Sequence, residues 1–257
     1  MPELEPRDYL FILNLDFDIA SQLIAIGGLL QRNLKADEAT AKEIKDIEEH
    51  TRDLKGLSAE WAVDRWVDEL HHSTYQSAAH SMSAVGMIAP LTETIFYQCF
   101  RGIGAEFFPA TNPFQQHARW NAAHAVQWDC HFVITDKGPK KDIVRGIIQL
   151  AEAVGLLGRL PADLPPTLSA LFGYRNNMFH HGFEWPMMER HRFAKRIADD
   201  HRPAEWFFTA TSGNEPWIFY MTEPFIEHCL NTIHRSLDAI GLFVRDVLIP
   251  LRGARQA

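Results

Sequence analysis

The sequence predicts a mainly α-helical protein, a bundle of about nine helices with one short β-hairpin before the last helix. Two observations carry this. Apolar residues recur at three- and four-residue spacing along most of the chain, and strict alternation is almost absent. The exception is one place where two aromatic-rich runs, Trp206 to Ala210 and Trp217 to Met221, flank a turn cluster that contains Gly213 and Asn214. Such a pattern reads as a hairpin.

Taken in order, Leu10, Leu13, Phe17, Ala20, Ile24 and Leu30 give a first helix over residues 8 to 33. Residues 36 to 54 form a solvated helix, with Lys42, Lys45, Asp46 and Glu49 placing opposite charges one turn apart. Ser58 caps a third helix through Trp61, Val67 and Leu70 to about Val85, and Pro90 then forces a break or kink. A fourth runs through Ile95 and Phe100 to Phe108. Asn112-Pro113 is a start signal for a helix to about Val133, and Lys137-Gly138-Pro139 is a turn. Ile143, Ile147, Leu150, Val154 and Leu157 then share a helical face. Pro166 opens a helix that Gly182 stops, and residues 186 to 201 form another. After the hairpin, Thr222 and Pro224 cap a final helix to about Leu248.

At 257 residues, 46% hydrophobic and 23% charged, the chain is long enough to bury a sizeable core and is not disordered in the main. Its length allows an acidic helical region over 1–110 and a second helical region over 111–257, or one continuous domain. Residues 1 to 70 carry 16 Asp and Glu against 8 Lys and Arg, and the remainder carries 17 of each, so the whole surplus of −8 lies in the first quarter. A globally basic nucleic-acid binder is thereby disfavoured, and a local basic face is not. Cys99, Cys130 and Cys229 are odd in number and far apart, so neither a disulfide framework nor a zinc knuckle is expected. No signal-peptide pattern opens the chain, and the uncharged run from 19 to 30 is too short for a bilayer. The expectation is a cytoplasmic protein that is not inserted in a membrane.

The chemistry gathers at Leu171-Phe172-Gly173-Tyr174-Arg175-Asn176-Asn177-Met178-Phe179-His180-His181-Gly182. On a helix Asn176 and His180 share a face, and Arg175 sits to one side with a stem long enough to reach round. An imidazole that moves protons beside a guanidinium that neutralises phosphorane oxygens is what phosphodiester cleavage asks for. Histidines near a helix C-terminus also interact favourably with the dipole, and Arg175 could instead pair with a carboxylate.

Arg-Asn, three residues, His and then Gly, at the end of a helix, resembles the motif of HEPN proteins, an arginine followed after four to six residues by a histidine. Matched residue by residue, Arg175 is the motif arginine, Asn176 the polar residue after it and His180 the histidine at the four-residue spacing. His181 fits the five-residue spacing, and His180 is favoured because it shares the face of Asn176. The resemblance implies a helical bundle that homodimerises so that two motifs face each other, and in active members a metal-independent endoribonuclease. It also implies a toxin with an antitoxin or regulatory protein partner, a role in antiviral defence, or an inactive interaction module. One family subgroup modifies a Tyr two residues after the histidine; here Gly182 or Phe183 stands there, so that control is not expected.

Downstream, Arg190, Arg192, Lys195 and Arg196, with His191, His201 and Arg202, form either a phosphate-binding face for an RNA substrate or an ordinary solvated helix face. Trp185, Trp206 and Trp217 suit base stacking or a core. Leu171, Phe172 and Phe179 suit a dimer contact or a core. His117, His124 and His131 recur every seven residues, about 10 Å apart on a helix, too far to share an ion. Glu69 and His72 form one Glu-x-x-His step where a di-iron bundle needs two. No metal and no cofactor are expected, and the acidic first quarter suits a basic protein partner.

Overall fold

The computed structural model describes residues 4–52, 54–107, 117–199 and 203–253. Eight α-helices and two β-hairpins make up the regular structure of these residues. In chain order they are α1 (Ile19–Thr51), α2 (Leu57–Phe107), α3 (His124–Gln127), β1 (Phe132–Thr135), β2 (Gly138–Lys141), α4 (Ile143–Ala153), α5 (Leu164–His181) and α6 (Met187–Asp199). The series continues with β3 (Phe207–Ser212), β4 (Glu215–Met221), α7 (Glu223–Phe243) and, after a π-helical turn at Val244–Leu248, α8 (Ile249–Gly253). The protein is mainly α. Among the described residues, no helix is long and apolar enough to cross a membrane.

Several boundaries differ from the sequence expectation. Pro6–Leu13 is a 3₁₀ helix that ends at Asn14, whose φ of 47° is left-handed, so α1 begins only at Ile19. The expected break near residue 35 is absent because Leu34-Lys35-Ala36 are all strong helix formers. Ser58 lies inside the first turn of α2, behind a turn at Gly56 whose φ of +65° only glycine takes freely. The helix also continues through Pro90. The ring costs about 3 kcal/mol in a helix interior, but Ile88, Leu91, Ile95 and Phe96 are each at most 4% exposed. Burial at about 1.5–3 kcal/mol for each such side chain outweighs the ring.

Over residues 117–133 the helix expected up to Val133 is not formed. Asn112 and Pro113 lie outside the described residues, and beyond them stand a 3₁₀ turn (Ala118–Asn121), the single turn of α3 and then β1, paired antiparallel with β2 from Phe132↔Lys141 to Thr135↔Gly138. His117, His124 and His131 therefore do not line one helix. The expected hairpin is β3 with β4, which pair from Phe207↔Met221 to Ser212↔Glu215 with an irregularity after Ala210 and a turn at Gly213.

The chain folds into two compact units, each assembled from separated stretches. One contains Met1–Ile19, Ile88–Phe172 and His228–Ala257, and its core includes Leu13, Phe100, Ile147, Leu150, Leu168, Leu237 and Ile240. Gly241 lets the N-terminal segment lie directly on α7, since a Cβ there would stand 1.9 Å from the Pro6 carbonyl oxygen. The Arg7 guanidinium pairs with Asp238 at 2.6 Å beside that contact.

The other unit contains Ala20–Met87 and Gly173–Glu227. Its core is an aromatic cluster of Tyr174, Trp185, Phe193, Phe207 and Phe219, with the rings of Trp185 and Phe219 stacked at 5.3 Å. Leu23, Ile26 and Leu30 on α1 and Ala78, Ala84 and Val85 on α2 are also buried there. Between them, no described residue from 31 to 77 is buried, so the distal halves of α1 and α2 form a two-helix arm without a core of its own. Ion pairs such as Arg52–Glu48 at 2.6 Å and Arg65–Glu43 at 3.7 Å lie along it.

Candidate active site

The last two turns of α5 are oriented by what they bury. Tyr174 and Met178 have no exposed surface, and the Tyr174 hydroxyl donates to the Phe219 carbonyl at 3.0 Å. With that side turned inward, the opposite side faces out and carries Asn176 and His180, both exposed and one turn apart. Arg175 is half-buried on a flank about 140° round the helix from His180, in the column that continues to Phe179. The Phe179 ring lies 3.3 Å from where a Cβ on Gly86 of α2 would stand. The His180 and His181 rings are 6.3 Å apart, so the two histidines are neighbours without direct contact.

The helix stops as expected. Gly182 takes a φ of +71° and its N–H donates to the Met178 carbonyl at 2.9 Å. The loop beyond is fixed on both sides. Trp185 is buried and donates from Nε1 to the Gly182 carbonyl at 2.9 Å, while the Tyr75 hydroxyl donates to Glu184. Histidines 180 and 181 are thus exposed side chains on an anchored helix end.

Of the four basic residues expected on α6, the structure brings one to α5. The Arg196 guanidinium lies 3.4 Å from where a Cβ on Gly173 would stand, and Gly173, Asn176 and His180 follow one another along α5 at helical spacing. Arg175 therefore lies to one side of the Asn176–His180 stripe and Arg196 at its Gly173 end, about 10 Å along the helix from His180. Arg192 and Lys195 are exposed on the outward face of α6, Arg192 paired with Glu189 at 2.6 Å. Arg190 is used differently: its guanidinium donates to the carbonyls of Trp185 and Pro216, tying α6 to the loop and to β4. His191 pairs with Glu215 at 2.7 Å, and His201 and Arg202 lie outside the described residues.

Trp185 and Trp206 are core residues, 1% and 6% exposed, and Trp217 packs edge-on against Tyr75. Leu171 and Phe172 are likewise core, which leaves Phe179, 57% exposed, as the one member of that group able to meet another molecule.

A second polar cluster lies in the other unit and escaped sequence reading. His131 is held between two carboxylates, Nδ1 at 2.6 Å from Asp129 and Nε2 at 2.8 Å from Glu93. Beside it is a cavity of about 680 Å³ lined by Tyr97, Arg101, His124 and Asp129. Burial works against the imidazolium there, but the hydrogen bonds to Asp129 and Glu93 outweigh it and the His131 pKa is raised. Protonation is therefore favoured by folding. Its contribution to stability is full below the unfolded histidine value of about 6.5 and is lost as pH rises through the folded value. Thermal melts across pH 5.5 to 8.5 should show wild type losing, relative to His131→Gln, on the order of 1 kcal/mol, the scale of a partly exposed pair. The same slope in both proteins would exclude this cluster as its source. The Asp-x-His spacing was the available signal, an i, i+2 pair that helical numbering concealed.

Comparison with protein-family models, with curated proteins and with solved structures finds no match for this chain.

Proposed function

We propose that the protein is an HEPN-like, metal-independent endoribonuclease of a toxin or antiviral-defence kind. The observation that carries this reading is the exposed Asn176–His180 stripe at an anchored helix end, with Arg175 to one side and Arg196 at its Gly173 end. His180 takes the proton from the ribose 2′-hydroxyl, the 2′ oxygen attacks the adjacent phosphorus, and the bond to the 5′ oxygen breaks as that oxygen gains a proton. Arg175 and Arg196 hold the equatorial oxygens, and Asn176 orients the phosphate or the imidazole. The products are a 2′,3′-cyclic phosphate and a free 5′-hydroxyl. A second histidine for the leaving oxygen comes from His181 or from a second protomer across a two-fold axis at the exposed Phe179. RNA incubated with the protein and a chelator should be cut to those ends, and light scattering should return twice 29.4 kDa. Strict dependence on added magnesium would reject the mechanism.

One observation favours a second reading, a non-catalytic interaction module. The arm over residues 31–77 carries much of the acidic surplus and exposes Leu57 and Trp61 by about three quarters each, the chemistry that suits a basic protein partner. Equal effects on cell growth and RNA integrity from wild type, Arg175→Ala and His180→Ala would favour that module.

A further inference from the structure

His80 on α2 is the least ordinary side chain in its unit. Only 6% of it is exposed, and neither ring nitrogen has a hydrogen-bond partner among the described residues. Buried polar atoms are nearly always paired, and leaving one unpaired costs about 1–3 kcal/mol. The ring nitrogens are not far from acceptors: Nδ1 lies 3.9 Å from Asp37 Oδ2 and Nε2 lies 3.7 Å from Glu223 Oε2. Both gaps are too wide for a hydrogen bond. Nδ1 and Nε2 thus stand in two incomplete contacts.

The surroundings are built to keep these groups in place. Gln76 donates to Asp37 Oδ1 at 2.8 Å and accepts from the Thr40 hydroxyl at 3.2 Å, which fixes the carboxylate. Ser81, the next residue on α2, accepts from the Met221 N–H at 2.8 Å and so holds the end of β4, from which α7 starts with Glu223. A pocket of about 230 Å³ opens here, lined by Asn33, Ala36, Asp37, Gln76, Ala79 and His80.

The charge around it is one-sided. Burial pushes the Glu223 carboxyl up, and Glu227, Asp37 and Glu38 push it further, with no offsetting cation among the described residues. Burial and Asp37 also raise Tyr220. Burial lowers His80 against the pull of Asp37, so the ring is a neutral acceptor at neutral pH. A neutral acceptor, two carboxylates beside it and two more in their field make a site that lacks a cation.

We infer that the His80 pocket binds a single alkylammonium group. An ammonium nitrogen about 2.8 Å from both Asp37 Oδ2 and His80 Nδ1 spans their separation, and its remaining donors meet the acceptors of the pocket wall. A metal ion does not fit this spacing. At about 2.0–2.2 Å from one ion, tetrahedral or cis octahedral ligands lie closer together than 3.7–3.9 Å and trans octahedral ligands lie farther apart, and no three His, Cys, Asp or Glu side chains among the described residues converge on a point. The group can belong to a free polyamine or to a lysine side chain of a partner protein.

Calorimetric titration of the full chain at pH 7.5 tests this with three probes: cadaverine, a neutral peptide with one central lysine, and the same peptide acetylated on that lysine. Heat from cadaverine alone assigns a polyamine site; heat from the lysine peptide and not its acetylated form assigns a protein partner. Asp37→Asn should weaken either by tenfold or more while its melting curve stays that of wild type. The His80 imidazole resonance should shift on titration. At pH 5 binding should be lost, because protonated His80 repels the ligand and takes Asp37 and Glu223 for itself. No heat from any probe, equal affinity in Asp37→Asn, or heat from zinc or manganese ions alone would overturn the assignment.

Discussion

His180→Ala is expected to slow metal-independent RNA cleavage by about 10²- to 10⁴-fold, the range for loss of a general acid–base group. Arg175→Ala should cost a comparable factor, since a guanidinium aimed at developing phosphorane charge acts mostly in the transition state. His181→Ala should cost less, because it lies off the Asn176 stripe. His180 and His181 are both exposed, so their variants should melt as wild type does, and loss of cleavage will not be loss of fold. Cleavage that survives both His180→Ala and Arg175→Ala would remove the motif from the chemistry altogether.

The second large effect is on stability. Arg119 has no exposed surface, and its guanidinium donates to the carbonyls of Gln127 (2.6 Å), Phe132 (2.8 Å), Val126 (3.2 Å) and Asp129 (2.6 Å) and to Gln149 Oε1 (2.9 Å). Burial pushes its pKa down to about 10, which still leaves it charged at neutral pH. One side chain thus ties together a segment whose elements before β1 are single turns. Arg119→Ala removes five hydrogen bonds together, although the Val126 and Asp129 carbonyls and Gln149 Oε1 each keep a backbone N–H donor, and should cost about 4 kcal/mol or more, with a fall in Tm of roughly 10 °C. Arg119→Lys should recover little, because an ammonium is a point donor and cannot reach carbonyls arrayed around a planar fork. A melting temperature within two or three degrees of wild type, at about 1 kcal/mol or less, would show that water replaces the guanidinium there.

That arginine also marks where sequence reasoning stops. The helices α5, α6 and α7 and the hairpin β3–β4 were legible because local signals agree with the packing: prolines near the start of α5, Gly182 at its end, aromatic runs around Gly213. Residues 117–133 carry helix-compatible periodicity, yet their conformation is set by a charged residue wholly inside the protein, which no periodicity rule anticipates. Pro90 misled for the opposite reason, since a local penalty was outweighed by the burial of its neighbours. At the candidate site the Asn176–His180 face followed from spacing alone. The position of Arg196 over Gly173 did not, because it depends on how α6 packs back on α5. His80 was invisible for a similar reason, the carboxylates beside it lying 43 residues earlier and 143 later in the chain.

The interleaving of the two units bears on how the chain is made. Translation delivers about 5–20 residues per second from the N-terminus. The first unit needs both Leu13 and Ile240, and the second needs both Leu23 and Phe219, so the second core cannot close on the ribosome before residue 219 has emerged, nor the first before residue 240. For those tens of seconds the apolar half of α2 stands without its cover. Nascent chains stalled before residue 219 should therefore bind chaperones and yield to protease, whereas chains that extend past residue 227 carry every stretch of the second unit and should begin to resist.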